Sequence, residues 1–163
     1  ITGDVDFQKH RDRFVFIKED TCVDGIHIYA HLSHHHAQPL GDRTLLIKAD
    51  SGEFVKDTFH HELAFVVGDV LFTGCAHNGI LNILESIQEP IRLCLGGFHL
   101  LDSHLSEHYE TDEQLREISS ELVRRYPYVE FYTGHCTGGH CFEVLSEEKF
   151  LRLHQFHCGD DIC

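Results

Sequence analysis

Three segments of this chain share one design, and it constrains the fold more than any other feature. Each is an apolar run, then one or two glycines, then a histidine. They read VLFTGCAH, ending on His77, IRLCLGGFH, ending on His99, and VEFYTGHC, which carries His135. Apolar runs of this length read as strands of a buried sheet. Glycine lets the backbone turn sharply where the strand ends. Such segments in one sheet present their imidazoles on a single edge. Neutral imidazole is the commonest protein metal ligand. Three that converge can hold a metal and leave a position for water, which is thereby acidified toward neutrality for hydrolysis. One histidine after a strand is ordinarily structural; three on one edge are harder to assign to packing.

The segments around them read as alternating strands and helices. Arg13 to Lys18 (RFVFIK) and Thr44 to Ala49 (TLLIKA) are candidate strands, with the polar stretch Ile26 to Asp42 a long loop between them. Glu62 to Val67 and Val70 to Thr73 flank Gly68-Asp69, the pattern of a tight hairpin. Asn78 to Ile87 places Ile80, Leu84 and Ile87 on one helical face, and Pro90 bars its extension. Ile91 to Leu95 is a strand covered on both sides, and Leu100 to Glu110 a loop. Thr111 and Gln114 form a capping box for the clearest helix, with Leu115, Ile118, Leu122 and Tyr126 as its buried stripe and Pro127 as its stop. Val129 to Thr133 is a further strand, Gly138 to Glu147 a short helix, and Leu151 to Phe156 a last strand. This order predicts an α/β layered sheet in one domain spanning residues 1–163. In such sheets ligands gather outside the carboxyl ends of the strands.

Composition bounds the partners. With 13 basic and 27 acidic residues the net charge is −14, which opposes binding to nucleic acid. No run of about 18 apolar residues predicts a membrane helix, no leader is visible, and the expected location is the cytoplasm. Sixteen histidines make the chain histidine-rich, roughly four times average usage. The seven cysteines form no C-x-x-C pair, as expected of reduced thiols, and Cys94 reads as core.

TFHHELAFVV, FTGCAHNGILNILE, CLGGFHL and FYTGHCTG, in that order, resemble the C-terminal half of the metallo-β-lactamase superfamily. The branch they resemble comprises metal-dependent hydrolases similar to dihydropterin ribofuranosyl-aminobenzene-phosphate synthase. The resemblance runs closely over residues 57–138. It implies a layered αββα sandwich of which this is the C-terminal half, and zinc as the metal, with manganese or iron as alternatives. It implies that His77 binds a first metal and His135 a second. His99 falls where the superfamily usually has a bridging aspartate; an imidazole does not bridge as a carboxylate does, so binding one metal and contacting substrate both stay open. The superfamily's H-x-H-x-D-H motif is absent. His31 and His34, His35 and His36 lack its spacing, and read as solvated or substrate-facing, with substitution as ligands the alternative.

Quieter readings apply elsewhere. His60 and His61 precede a strand and read as structural, and Asp57 as surface polarity or a loop-ordering residue. Cys75 and Cys136 flank the best ligands and read as small packing residues, with soft ligation the alternative. The cluster His154, His157, Cys158, Asp160, Asp161 and Cys163 offers at most adventitious metal binding. The expected function is hydrolysis of an ester, phosphoester or lactone on a small-molecule substrate, with no membrane partner. The alternative is a non-catalytic metal-binding module completed by a partner chain, either a second copy or a missing N-terminal half. Specificity would lie in the Ile26–Asp42 and Leu100–Glu110 loops.

Overall fold

The computed structural model describes residues 7–101 and 109–162. Its centre is a mixed sheet of seven strands in the order β1-β2-β5-β6-β7-β8-β9. These are β1 (Thr21–Val23), β2 (Ile26–Tyr29), β5 (Ala64–Val67), β6 (Val70–Phe72), β7 (Leu93–Leu95), β8 (Glu130–Thr133) and β9 (Arg152–Gln155). The first four pair antiparallel. From β6 onward every pairing is parallel. A separate antiparallel pair joins β3 (Leu46–Lys48) to β4 (Phe54–Lys56).

Parallel neighbours need crossovers, and three helices supply them: α1 (Ile80–Ser86), α2 (Asp112–Arg125) and α3 (Gly139–Leu145). Successive crossovers of the favoured hand that advance in one direction leave their helices on one face. The core follows from this. Ala64, Val66, Leu71, Cys94 and Phe131 point from the strands into a cluster with Ile83, Leu84, Leu115, Leu122 and Leu145 of the helices. The alternation along β5 is strict, so Phe65 and Val67 turn to the opposite face, 40% and 43% exposed. On that face Phe65 stacks on Phe72, and Tyr132 on His154.

The hairpin turns at Gly68-Asp69, as expected. The capping box closes α2, with Thr111 Oγ accepting from the Gln114 amide and the Gln114 side chain accepting from the Thr111 amide. Burial pushes the Cys94 thiol up to about 12, consistent with a core residue. Two expectations change. Arg13 to Lys18 is not a strand: Arg13 closes a 3-10 helix (Phe7–Arg13), residues 14–18 belong to no strand, and Val15 and Phe16 are exposed. The apolar content of that run suggests a strand, but among the described strands β1 ends the sheet and pairs with β2 alone. The histidine-rich stretch is not all loop, because its first four residues form β2 and pair along the whole of β5. Of the Leu100–Glu110 loop, residues 102–108 lie outside the described residues. Among the described residues, no helix is long and apolar enough to cross a membrane.

Candidate metal centre

The turns after β6, β7 and β8 lie side by side at the carboxyl edge of the parallel strands, bound together by their backbones. Thr73 N donates to Leu95 O at 2.8 Å, Gly97 N to Gly74 O at 2.9 Å, Gly96 N to Tyr132 O at 3.1 Å and Leu101 N to Cys136 O at 2.9 Å. Two glycines make this approach feasible. A Cβ on Gly96 would fall 1.9 Å from Thr73 Oγ1, and one on Gly97 would fall 2.3 Å from Cys136 Sγ. Left-handed backbone at non-glycine residues concentrates here too. Phe59, Ala76, His99 and His135 have φ of 53°, 58°, 49° and 51°. Such strain persists only where the surroundings over-determine it, and it clusters at functional sites.

The turns bring together Cys75, His77 and His99, whose ligand atoms all lie within 4.8 Å of one another. The His77 and His99 rings are 4.1 Å apart at centroid, tilted by 51°. Beneath them sits Asp42, 1% exposed, carried by a short 3-10 helix (Leu40–Thr44). Its Oδ1 pairs with His77 Nδ1 at 2.7 Å. His99 Nε2 lies 3.3 Å from the same oxygen but forms no hydrogen bond with it. Asp42 Oδ2 and both ring nitrogens of His99 are buried without a hydrogen-bond partner.

His77 is held on its other sides as well. Phe59 stacks on its ring at 4.2 Å with planes 3° apart. Glu62 accepts from the His77 amide through Oε1 and from the Asn78 amide through Oε2, both at 2.7 Å, and Oε2 also accepts from Asn78 Nδ2. Asp57 Oδ1 accepts from the Phe59 amide at 2.8 Å, so Asp57 is buried and orders the loop under that ring. Burial alone would lower the pKa of His77; the bonds to Asp42 and Cys75 outweigh it and raise the imidazole to about 9. The neighbouring Cys136 thiol, with His77 and His99, holds the Cys75 thiol far below its usual range, while Cys136 itself is pushed up.

His135 is exposed and joins a second group, Cys75, His135 and Cys136, with ligand atoms also within 4.8 Å of one another. The structure thus divides the three strand-end histidines, His77 with His99 and His135 apart, with Cys75 common to both sets. Among the described residues these are the groups of three that can hold a metal ion.

The donor set fits such an ion. Buried imidazole nitrogens and a carboxylate oxygen without partners are costly unless something binds them. Imidazole with thiolate suits zinc among other metals. His31, His34, His35 and His36 belong to neither group. His31 lies beside Glu19 and Asp20, His34 beside His60, and His35 and His36 beside Glu85. The C-terminal His154 stacks on Tyr132, and the His157 amide donates to Asp160.

Asp42 and Glu62 carry no sequence signal of a site. PLGDRT looks like an ordinary turn and Glu62 like the first residue of a strand; only the packed fold shows that both carboxylates turn inward.

No protein-family model matches the chain. It is 30% identical over 112 residues to an uncharacterized protein of Methanocaldococcus jannaschii, an alignment covering 66% of this chain. The chain spans 38% of the length of that curated relative.

Proposed function

We propose that this chain contributes the metal centre of a metal-dependent hydrolase of the metallo-β-lactamase type, acting on an ester, phosphoester or lactone. One observation carries the reading: Cys75, His77 and His99 converge at the ends of parallel strands over the buried, half-satisfied carboxylate of Asp42. When bound, a divalent metal supplies Lewis acidity and lowers the pKa of water. The chain's residues do the rest. Asp42 fixes the His77 ring through Nδ1, so that Nε2 faces the ligand position. Carboxylate–histidine pairs of this kind orient ligands and raise their basicity. Phe59 stacks against the ring and limits water on that side. Glu62 clamps the turn through backbone amides. His135, exposed on the neighbouring turn, is placed to bind a second metal with Cys136 or to meet substrate. The sandwich architecture and the superfamily assignment belong to this proposal, supported by the ordered motifs and the carboxyl-edge placement.

The test is turnover of a chromogenic phosphodiester or ester by zinc-loaded protein. Activity that falls by orders of magnitude in His77→Ala, with folding retained, supports the reading. Turnover unchanged in both His77→Ala and His99→Ala would remove it.

The alternative, a binding module completed by a partner, draws on the exposed sheet face carrying Phe65 and Val67. Apolar surface of that kind marks contact surfaces. Stoichiometric metal without turnover, in a stable assembly by light scattering, would favour it.

A further inference from the structure

Cys75 and Cys136 are 61 residues apart in sequence, yet their sulfurs lie within 4.8 Å. Cys136 Sγ points toward the carbonyl oxygen of Cys75 at 3.8 Å. Gly97 keeps the space between them open, since a Cβ there would fall 2.3 Å from Cys136 Sγ and 3.6 Å from Cys75 Cα. The two thiols differ in access. Cys75 is half-buried and reachable from solvent, whereas Cys136 is 2% exposed. That asymmetry suits an attacking thiol backed by a resolving one.

We propose that Cys75 and Cys136 form an oxidisable dithiol that a hydroperoxide closes to a disulfide, withdrawing both sulfurs from the two ligand groups. The withdrawal rests on the metal-centre reading; the disulfide does not. In the first step the Cys75 sulfur attacks hydrogen peroxide, an S–O bond forms, the O–O bond breaks and water leaves. Cys75 is then a sulfenic acid. In the second step the Cys136 sulfur attacks the Cys75 sulfur, the S–S bond forms and the S–O bond breaks. The departing hydroxide takes the Cys136 proton as a second water. Two thiols lose two electrons in total, and one peroxide becomes two waters. Reaching an S–S length of about 2.05 Å needs rotation of both side chains and a small shift of their turns. A dithiol reductant reverses the change by exchange.

The experiment uses the whole chain with Cys22, Cys158 and Cys163 changed to Ser, so that only buried thiols and this pair remain. Reduced, metal-free protein is treated with hydrogen peroxide, alkylated, digested without reduction and mapped by mass spectrometry. The expected result is a linked peptide joining Cys75 to Cys136 that disappears on reduction. In Cys136→Ser, Cys75 should stop at the sulfenic acid and be trapped by dimedone. Zinc binding by the reduced protein should be lost on oxidation and return on reduction. Recovery of both residues as alkylated thiols after oxidation, or a link from either one to Cys94 or Cys141, would overturn the proposal. A linked protein that binds zinc as tightly as the reduced form would overturn the withdrawal of ligands. Reduced protein that binds no zinc would count against the metal centre alone, with the peptide map still deciding the disulfide.

Discussion

The carboxylate of Asp42 meets Nδ1 of His77 at 2.7 Å across 35 residues of sequence, while 1% exposed beneath the ring. A buried carboxylate needs a partner, and a metal-binding imidazole needs its other nitrogen fixed. The pair answers both needs. Asp42→Asn keeps the size of the side chain but weakens that fixation. Zinc affinity, measured by competition with a chromogenic chelator, should fall about 10–100-fold, with the circular dichroism of the protein unchanged.

Glu62 is a structural clamp whose loss should be read in stability. Its carboxylate accepts from the His77 and Asn78 amides and from Asn78 Nδ2. Gln in its place offers one acceptor oxygen and turns an NH2 group toward N–H donors. Glu62→Gln should therefore cost about 1–3 kcal/mol in urea unfolding, the range for a buried partner left unsatisfied.

Close approach of the site turns requires the absence of a side chain at Gly96. A Cβ there would meet Thr73 Oγ1 at 1.9 Å and Thr73 O at 2.7 Å, on a backbone with φ of +155°. Gly96→Ala should destabilise by about 1–3 kcal/mol or more, as overpacking and strain combine. Gly139, at the start of α3, has nothing within 4 Å of a Cβ. Gly139→Ala should be neutral or raise stability by up to about 1 kcal/mol. Thermal unfolding of the two variants side by side checks both.

The histidine-rich segment is tied down through Glu85. Ser33 Oγ donates to it at 2.6 Å, His35 Nδ1 lies 2.8 Å away and Arg125 Nη2 donates at 3.2 Å. Ser33 first, then His35 and Arg125, hold its carboxyl at about 2 against an ordinary 4.5. A depressed value means that the ionised form favours the folded state. Its contribution is present above pH 4.5 and is lost as pH falls through about 2. Wild type should therefore melt higher than Glu85→Gln near neutrality, and the gap should narrow as pH drops through that window. A gap constant with pH would contradict the assignment.

Much of this fold is legible in the sequence, and the part that is not has a physical reason. The hairpin, the capping box of α2 and the strand-end glycines are local signals, and each reappears in the structure. The histidines themselves stand out by repetition. Their division into sets is not local: it depends on which turns pack together, and Cys75 becomes the shared group only there. Asp42 and Glu62 carry no local signature, because a turn aspartate and a strand-end glutamate ordinarily face water. Residues 14–18 mislead in the opposite sense, since β-propensity reflects a pleated, half-buried surface and Val15 and Phe16 are exposed in a segment that joins no strand.

The central claim is that Cys75, His77 and His99 bind one metal ion together. Titration of the reduced protein with cobalt(II), followed by absorption spectroscopy, tests it most directly. The expected result is a saturable spectrum with tetrahedral d–d bands and a thiolate-to-cobalt charge-transfer band. Cys75→Ser should remove the charge-transfer contribution of that residue, and His77→Ala or His99→Ala should weaken binding at least tenfold. A spectrum of hexaaquo cobalt throughout, or binding indifferent to all three substitutions, would contradict the account.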